Sequence, residues 1–370
     1  MASRLPEALH WAYKRVYDGV NYRMRTFAGG SLASHCRPVS IVFLLTELCN
    51  AKCLHCDIWK NKGREDNPTV DQWKNTLSGL RQWLGPVQVC FSGGEALMKP
   101  YTTELVAHAH ELGLFLEILT HGYWEDQGKI ERLAQARPWK VTISLDGIGE
   151  THTKVRGRDR FWERTARTIE TLKRVRVEQK IDYIIRLKNV IMSHNLDDTI
   201  KVAEFANQPG FEVFYQSIEQ NYNTPDDPDW FLHSDNWPKD TGKAIANVRE
   251  LIRLKQNNYP IANSFAQLEA MIPYFSNPAA LRISTQTHAS HERKRSCSAL
   301  TTMQVNANGD VVVCTGVAPV GNIKTQAIRD IWENRPHFWE KGCCLEKRLT
   351  PAELHQIEFA ASTTASTWER

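Results

Sequence analysis

The chain has 370 residues, of which 42% are hydrophobic and 24% charged, with a formal net charge of +4. This length is more than one small hydrophobic core requires and fits a large α/β domain with a smaller module. The mild net charge argues against the dense basic surface of a protein that binds duplex nucleic acid. No run of eighteen apolar residues occurs and residues 1–9 lack the apolar core of a secretory signal, so no transmembrane or secreted segment is expected.

The first predicted element is an amphipathic helix over residues 6–27. Apolar residues such as Val16 and Val20 recur there at helical spacing, and several lysine and arginine residues lie between them. We expect this helix to pack on the main domain. Contact of its exposed side with a membrane surface or a partner protein is the alternative.

From residue 38 onward, strands and helices alternate six times, which predicts a parallel α/β sheet. The strands read as apolar on both faces, so helices are expected to cover them. An open doubly wound sheet and a curved partial barrel both fit this order, and in either case ligands bind at the C-terminal ends of the strands. The predicted strands are 40–45, 87–91, 115–119, 141–145, 181–192 and 211–218, and the predicted helices are 69–84, 101–112, 127–136, 161–177 and 196–207.

Local signals mark several of the element ends. Thr69 and Gln72 have the spacing of a capping box, and Gly113 follows a predicted helix as a stop. Residues 221–240 read as a linker or lid, and helices follow at 241–256 and 265–275. Strands 301–306 and 311–314 form a hairpin around Asn308-Gly309, and the tail from residue 361 is expected to be disordered.

Nine cysteines occur, and three of them, Cys49, Cys53 and Cys56, follow the first strand directly. An odd count with such clustering differs from a disulfide framework, and thiols that bind metal need a reducing compartment, so a cytoplasmic location is expected. Thiolates suit iron–sulfur clusters or zinc. A structural zinc site needs four ligands, and His55 adjoins Cys56, so the side chains of these two neighbours diverge. We therefore favour an iron–sulfur cube with one open iron over zinc or inert thiols.

The C-x3-C-x2-C spacing resembles that of the radical S-adenosylmethionine (SAM) superfamily, and further motifs at strand ends resemble its SPASM/twitch subfamily. The resemblance covers about residues 38–345 and implies a partial (β/α)6 barrel in which SAM chelates the open iron of a [4Fe–4S] cluster. The matching motifs are Phe91-Ser92-Gly93-Gly94-Glu95, Thr120-His121-Gly122 with His121 in place of the family's Asn, and Ser144-Leu145-Asp146-Gly147 followed by His152 and Arg156-Gly157.

The resemblance also implies roles in SAM binding for seven residues. Gly93 and Gly94 allow close backbone approach to the methionine part. The other expected contacts are Glu95 with the ammonium group, Ser144 and Arg156 with the carboxylate, Thr120 near the sulfonium or ribose, and Met192 with adenine. The structural alternatives are a tight turn at Gly93-Gly94, a first-turn helix residue at Glu95, an Arg156–Asp159 pair and a core position for Met192.

Four C-terminal cysteines resemble the start of a SPASM or twitch module, which holds auxiliary [4Fe–4S] clusters. These are Cys297, Cys314, Cys343 and Cys344, with Gly309 preceding Cys314 by five positions. Four cysteines fit one cluster better than two, although Cys343 and Cys344 are adjacent and would rarely bind one cube together. Zinc or reduced thiols are the alternatives here.

The expected organisation has five parts: an N-terminal helical extension (1–37), the radical SAM partial barrel (38–235), a helical bridge (236–290), a twitch/SPASM-like module (291–345) and a C-terminal tail (346–370). The expected partners are a small-molecule or peptide substrate and a reductant such as flavodoxin or ferredoxin, without nucleic acid.

The resemblance implies that SAM is cleaved to a 5′-deoxyadenosyl radical that abstracts hydrogen from the substrate. We expect a small sugar-like or amino-acid-like molecule, oxidised with help from the auxiliary cluster. A peptide maturase that crosslinks or epimerises its substrate is the first alternative, a radical SAM methyltransferase a second, and a non-catalytic zinc-binding interaction protein a third. No catalytic residue is assigned, and the candidates for a general base are His121, Asp146, Gln216 and Glu219.

Overall fold

A computed structural model gives the fold of most of the chain. It describes residues 12–13, 15–17, 19–21, 23–24, 35–62, 65–225, 227, 229–278, 298–314 and 317–336. The predicted C-terminal tail, Cys297, Cys343 and Cys344 lie outside the described residues, as do parts of the N-terminal helix. The described residues between 12 and 24 are helical, and the Tyr17 hydroxyl donates a hydrogen bond to the Pro38 carbonyl (2.8 Å).

The strands and helices alternate in the predicted order. The strands are β1 (Ser40–Leu44), β2 (Gln88–Ser92), β3 (Phe115–Thr120), β4 (Lys140–Ser144), β5 (Ile184–Ile191), β6 (Phe211–Ser217), β7 (Thr302–Val305), β8 (Asp310–Val312) and β9 (Gly321–Asn322). The helices are α1 (Val70–Leu84), α2 (Thr102–Glu111), α3 (Gln127–Gln135), α4 (Glu150–Arg156), α5 (Phe161–Glu178), α6 (Thr199–Ala206), α7 (Trp230–His233), α8 (Thr241–Gln256), α9 (Phe265–Ser276) and α10 (Ile328–Glu333).

Contacts divide the chain into two compact units, and the first contains residues 1–46, 64–117 and 283–361. Its strand order is β3-β2-β1-β7-β8-β9, with β1 parallel to both β2 and β7, and β8 antiparallel to β7 and β9. Phe43 of β1 packs edge-on against Phe91 and Trp73, which centres the core on these aromatic rings. Thr69 and Gln72 form the predicted capping box, and the predicted C-terminal hairpin is present.

The second unit contains residues 47–63 and 118–282, with strand order β6-β5-β4-β3. β3 contributes residues to both units. The pairs β4–β5 and β5–β6 are parallel and run over long registers. The strand order ends at β6 in this unit and at β9 in the other, so the sheet is open. This is the α/β architecture of a partial barrel that the resemblance implied.

The strands β4–β6 differ from the sequence prediction because they are apolar on one face only. Alternate residues of β5 are buried and partly exposed along its length, which contradicts the prediction that both faces are apolar. One face, here the helix-covered face, is almost entirely apolar and fully buried: Val141, Ile143, Ile185, Leu187, Asn189, Ile191, Phe211, Val213 and Tyr215. The other, here the open face, is mostly polar: Lys140, Thr142, Ser144, Ile184, Arg186, Lys188, Val190, Glu212, Phe214 and Gln216.

The described helices carry no membrane span. Each of them is too short or too polar to cross a bilayer.

Candidate cofactor site

The three clustered cysteines lie on one loop between β1 and a short 3₁₀ helix, Ile58–Lys60. None of the three is in a disulfide; Cys53 is 8% exposed, and Cys49 and Cys56 are half-buried. They pack against one small cluster that includes Phe161 and Tyr123. The loop therefore gathers the three thiols at one place.

The end of α4 holds the backbone of this loop from one side. The Lys52 and Leu54 N–H groups donate to the carbonyls of Arg156 (3.1 Å) and Val155 (3.0 Å). Gly157 follows with φ +68°, and a Cβ there would lie 2.1 Å from the Lys52 carbonyl oxygen. Only glycine fits this close approach, so the Arg156-Gly157 motif fixes the path of the loop between Cys49 and Cys56.

Two asparagines hold the loop from the other side. The side-chain amides of Asn221 and Asn236 both donate to the Leu54 carbonyl, at 3.1 and 2.9 Å. The Asp57 N–H donates to the Tyr222 carbonyl (3.0 Å), next to an isolated bridge between Cys56 and Tyr222. The segment predicted as a linker or lid therefore fixes the half of the loop that carries Cys56.

Arg156 lies in a buried ion pair beneath Cys53. One terminal nitrogen lies 2.5 Å from Asp146 Oδ2, and the other donates to Cys53 Sγ at 3.5 Å. Burial alone would raise the pKa of Asp146, but the positive charge of Arg156 outweighs it, so this pKa lies below its usual value. The partner of Arg156 is thus Asp146, and the sequence-based alternative of a pair with Asp159 is wrong.

His121 contacts the loop through Asn50. The Tyr123 N–H donates to Nδ1 of His121 (2.9 Å), which places the ring proton on Nε2 for a hydrogen bond to Asn50 Oδ1 (2.7 Å). Burial, followed by Arg156, lowers the pKa of His121 to about 3, so the ring is neutral. A buried neutral imidazole and the ion-paired Asp146 are both unsuited to act as a general base near neutral pH.

The other predicted SAM contacts in this unit occupy different environments. Thr120 is buried, and its hydroxyl accepts hydrogen bonds from Gly122 N–H (3.2 Å) and Trp124 Nε1 (3.3 Å). Ser144 ends β4 on the open face and is half-buried. Met192 is fully buried, as the core alternative expects, and its contact with adenine stays a prediction.

The glycine pair of the first unit forms a tight turn against the end of β1. Gly93 has φ +128°, and a Cβ there would lie 2.2 Å from the Thr46 carbonyl oxygen. Gly94 N–H donates to the same carbonyl (2.7 Å). Glu95 is 2% exposed and its carboxylate accepts from Leu97 N–H (3.2 Å), so it caps the short helix Ala96–Met98. The turn and helix-cap alternatives are thus present, and the SAM contacts of these residues stay predictions.

Cys314 is the one predicted auxiliary ligand that the described residues include. It is a half-buried free thiol just after β8. The ligand set of the auxiliary cluster therefore stays a prediction.

The cysteine loop fits an iron–sulfur cluster better than a single metal ion. Within the described ranges, no three histidine, cysteine or carboxylate side chains are arranged to hold one ion. The thiolate ligands of a cluster bind separate irons, so they gather near one another without converging on a point. Burial raises the pKa of Cys53 above its ordinary value, and the positive charge of Arg156 opposes part of this rise.

Two family models match the chain, at residues 43–215 and 297–350. The first describes the radical SAM superfamily and the second the SPASM iron–sulfur cluster-binding domain. The protein is therefore a radical SAM enzyme. It belongs to the members of that superfamily that carry a SPASM domain, so its cofactors are a [4Fe–4S] cluster, SAM and auxiliary iron–sulfur. The zinc-binding interaction protein considered from the sequence is set aside by this assignment.

Individual relatives share parts of this chain. It is 27% identical over 317 residues to the AdoMet-dependent heme synthase of Methanosarcina barkeri, covering 81% of this chain and 84% of that protein. It is 29% identical over 186 residues to the sporulation killing factor maturation protein SkfB of Bacillus subtilis, covering 50% and 43%. The structure of Streptococcus suis SuiB bound to S-adenosylmethionine matches with a TM-score of 0.62 at 16% identity, covering 88% and 72%.

Sequence reasoning missed several residues of this site. The tethers Asn221 and Asn236 lie in a segment whose composition suggested only a linker. Asn50 gave no signal, because its partner His121 is distant in sequence.

Proposed function

We propose that this protein oxidises a small molecule by abstracting hydrogen from one of its carbon atoms. The observation that carries the proposal is the loop that gathers three cysteine side chains outside any disulfide. Backbone hydrogen bonds hold this loop, and the Arg156 guanidinium donates to Cys53 Sγ. A cluster bound there would supply the one electron needed to cleave SAM reductively. The residues of the chain then have to hold SAM and the substrate within a few ångströms of each other, next to the thiols, and to exclude water.

The proposed ligands of the SAM-binding cluster are Cys49, Cys53 and Cys56. Cys297, Cys314 and one of the adjacent pair Cys343 and Cys344 are proposed to hold an auxiliary cluster that accepts the second electron. The proposed contacts of SAM in the chain are the seven that the resemblance implies: Gly93, Gly94, Glu95, Thr120, Ser144, Arg156 and Met192. A reductant of the flavodoxin or ferredoxin class and a cytoplasmic location suit such oxygen-sensitive thiolate sites.

The open face of β4–β6 supports a polar substrate. Lys140 and Arg186 share the carboxylate of Glu212 at 2.7 and 2.6 Å, and Gln216 and Ser144 lie towards the C-terminal ends of the same face. Such a face suits a molecule with hydroxyl, amino or carboxylate groups, as expected for sugar-like or amino-acid-like substrates. The likeness to a heme synthase over most of both chains also favours a small molecule.

A peptide substrate is the second candidate, favoured by the likeness to the killing factor maturation protein. The same fixed cysteine loop would then serve crosslinking or epimerisation of a peptide. The open face alone does not separate these two classes, because a peptide also presents polar groups.

The experiment that separates the classes uses deuterated substrate pools. Cells are grown in heavy water, and their extract is divided into a small-molecule fraction and a peptide fraction. Each fraction is incubated without oxygen with cluster-loaded protein, reductant and unlabelled SAM. We expect deuterium in 5′-deoxyadenosine only with the small-molecule fraction, and a product with two fewer hydrogen atoms.

Deuterium transfer from the peptide fraction alone would contradict the small-molecule proposal and support the second candidate. The Cys49/Cys53/Cys56→Ala triple variant is the matched control and should transfer none. A Cys314→Ala variant should still transfer deuterium but accumulate less oxidised product, because the auxiliary cluster accepts the second electron in this proposal.

A further inference from the structure

The cysteine loop has exposed side chains directly beside a proposed cluster ligand. Lys52 and Leu54 lie on either side of Cys53 in the chain, and both are exposed whereas Cys53 is buried. Their N–H groups donate to the backbone at the end of α4, so the loop is held while these two side chains face solvent. A protein that touched Lys52 and Leu54 would therefore come within one residue of a proposed ligand.

Two large apolar side chains are exposed at this loop. Leu54 is 38% exposed, and Tyr222 is 53% exposed. The backbone of Tyr222 forms the isolated bridge with Cys56, and the neighbouring Asn221 amide donates to the Leu54 carbonyl (3.1 Å). The backbones that carry the two side chains are thus joined to each other. Grouped apolar side chains on a surface are typical of an interaction site, whereas scattered ones are not.

Positive charge surrounds these apolar side chains. The loop and the segment of residues 152–160, which includes the end of α4, carry four exposed cations: Lys52, Lys154, Arg158 and Arg160. Arg158 contacts the loop directly, because its Nε donates to the Asn50 carbonyl (3.1 Å). The Lys52 ammonium lies 5.9 Å from the centre of the half-buried Trp59 ring, which follows the loop. The cations therefore lie at the loop itself.

The carboxylates near the loop leave this positive charge in excess. Asp159 is the one carboxylate in the segment that carries three of the four cations. Asp57, which follows the last cysteine of the loop, is already paired with Lys60 (2.9 Å). Glu47, which precedes the first cysteine, accepts a hydrogen bond from the Asn61 amide (3.5 Å).

A basic surface with a small apolar centre suits an acidic protein that binds briefly. Interfaces between electron-transfer partners are among the smallest specific interfaces, so two apolar side chains and a few charges are enough to form one. Opposite charges on the two proteins raise the rate of encounter and orient the partner. Here they would direct the partner to the loop that carries the thiols.

We propose that an acidic one-electron carrier protein docks on the outer loop surface, which consists of Lys52, Leu54, Lys154, Arg158, Arg160 and Tyr222. The proposal rests on the proposed function, because it concerns the reductant of that same cluster. The reduced carrier passes one electron to the cluster held by the loop and is itself oxidised by one electron. No bond forms or breaks in this step, and no proton is transferred.

The test measures electron transfer to cluster-loaded protein from two acidic carriers, a photoreduced flavodoxin and a photoreduced ferredoxin, by stopped-flow absorbance. The second-order rate constant of wild type should fall as salt is added, because salt screens exposed charges. Lys154→Glu should lower it at low salt, and Lys52→Glu/Lys154→Glu should lower it about ten- to a hundredfold. Lys180→Glu is the matched control and should react as wild type, because this exposed lysine precedes β5, at the end of the parallel strands opposite to α4.

Binding of the oxidised carriers is measured separately by isothermal titration calorimetry. Leu54→Ser should raise the Kd at low and at high salt alike, because salt does not screen the loss of an apolar contact. Saturating dithionite needs no docking surface, so Lys154→Glu should form as much 5′-deoxyadenosine with it as wild type does. Iron content and circular dichroism show whether each variant is folded and loaded, and Tyr222→Ser replaces Leu54→Ser if that variant does not load.

The proposal is overturned if salt leaves the wild-type rates with both carriers unchanged, or if Lys180→Glu slows transfer as much as Lys154→Glu does. It is also overturned if neither carrier reduces wild-type protein although dithionite supports formation of 5′-deoxyadenosine. Transfer from one carrier alone supports the proposal and identifies the class of carrier. A failure of the proposed function differs from these results, because wild-type protein would then yield no 5′-deoxyadenosine with dithionite either.

Discussion

In the second unit, the middle of the strands and the segments that follow the strand ends bury different kinds of side chain. On the helix-covered face, Ile143, Leu187 and Val213 are apolar and have no exposed surface. Beyond the strand ends, polar and charged side chains are buried as well as apolar ones, and Asp146 and His152 have no exposed surface either. The strand bodies therefore gain stability from the hydrophobic effect, whereas each group at the strand ends depends on a specific partner.

This difference indicates which buried groups position the cysteine loop. Burying an ion pair and neutral imidazoles seldom stabilises a protein more than apolar packing would. These groups instead fix the cysteine loop: Arg156 contacts Cys53, and His121 contacts Asn50. We expect mutations in the strand bodies to change stability alone, and mutations at the strand ends to change stability and the cofactor site together.

The largest effect on stability is expected from removing the buried guanidinium. Arg156→Met leaves Asp146 as an uncompensated buried charge, which should lower the free energy of unfolding by about 3–5 kcal/mol. The measurement is urea unfolding of the metal-free protein at pH 7. Arg164→Met is the control, because its partner Glu125 is 81% exposed, and it should cost less than about 1 kcal/mol. Equal losses in the two variants would contradict the account.

Acid should destabilise the strand ends through their buried histidines. Burial lowers the pKa of both His121 and His152 to about 3 in the folded state, against about 6.5 in the unfolded chain. The unfolded state therefore binds more protons below pH 6.5. Their contribution to stability is complete above that pH and is lost progressively as the pH falls towards 3. Between pH 7 and pH 5 the loss should be about 2 kcal/mol for each histidine.

Urea unfolding at the two pH values checks this dependence. A His121→Asn variant should retain about two thirds of the pH dependence, because His152 remains and so does His55, whose pKa burial lowers to about 4. If the variant shows the same slope as wild type, His121 is already charged in the folded protein and its assigned tautomer is wrong.

Substitutions on the two faces of β5 should differ in their cost in stability by a smaller amount. Leu187→Ala on the helix-covered face should cost about 3 kcal/mol, because it leaves a cavity in a fully buried core. Val190→Ala on the half-buried open face should cost about 1 kcal/mol. Iron content after reconstitution should be normal in both variants. A larger loss for Val190 than for Leu187 would contradict the assignment of the two faces.

A modest change in stability is expected at the tether Asn236. Its amide donates to the Leu54 carbonyl (2.9 Å) and to Asn221 Oδ1 (3.0 Å), so Asn236→Ala should cost about 1–2 kcal/mol. The cluster should nevertheless be lost faster, because the half of the loop with Cys56 is released. The measurement is the rate of iron removal by a chelator, with Asn334→Ala as a control whose exposed side chain bonds only to its own helix end. Equal chelation rates would show that the tether does not stabilise the cluster.

Local patterns predicted most of the architecture. The six parallel strands followed from their apolar runs, the start of α1 from Thr69 and Gln72, and the C-terminal hairpin from Asn308-Gly309. The helix α4 was missed because it is short and polar, so it lacks an apolar period. The polar open face was missed because a few polar residues within apolar runs were not taken as alternation.

The candidate site was predictable only where its residues are close in sequence. The spacing of Cys49, Cys53 and Cys56 is local, whereas the tethers on Leu54 come from residues 167 and 182 positions away. The Asp146–Arg156 pair depends on how α4 returns beneath the loop, which no local pattern encodes. Contacts between residues this far apart in sequence can be identified only once the fold is known.

The central claim is that the three thiols of this loop hold the cluster that cleaves SAM. Protein purified without oxygen is reconstituted with iron and sulfide, given reductant and SAM, and compared with the Cys49/Cys53/Cys56→Ala triple variant. We predict about eight irons per wild-type chain and 5′-deoxyadenosine from wild type alone, as detected by mass spectrometry. About four irons per chain with the same product would contradict the auxiliary cluster and leave the central claim standing. Zinc in place of iron, with no 5′-deoxyadenosine from the wild-type protein, would contradict the account.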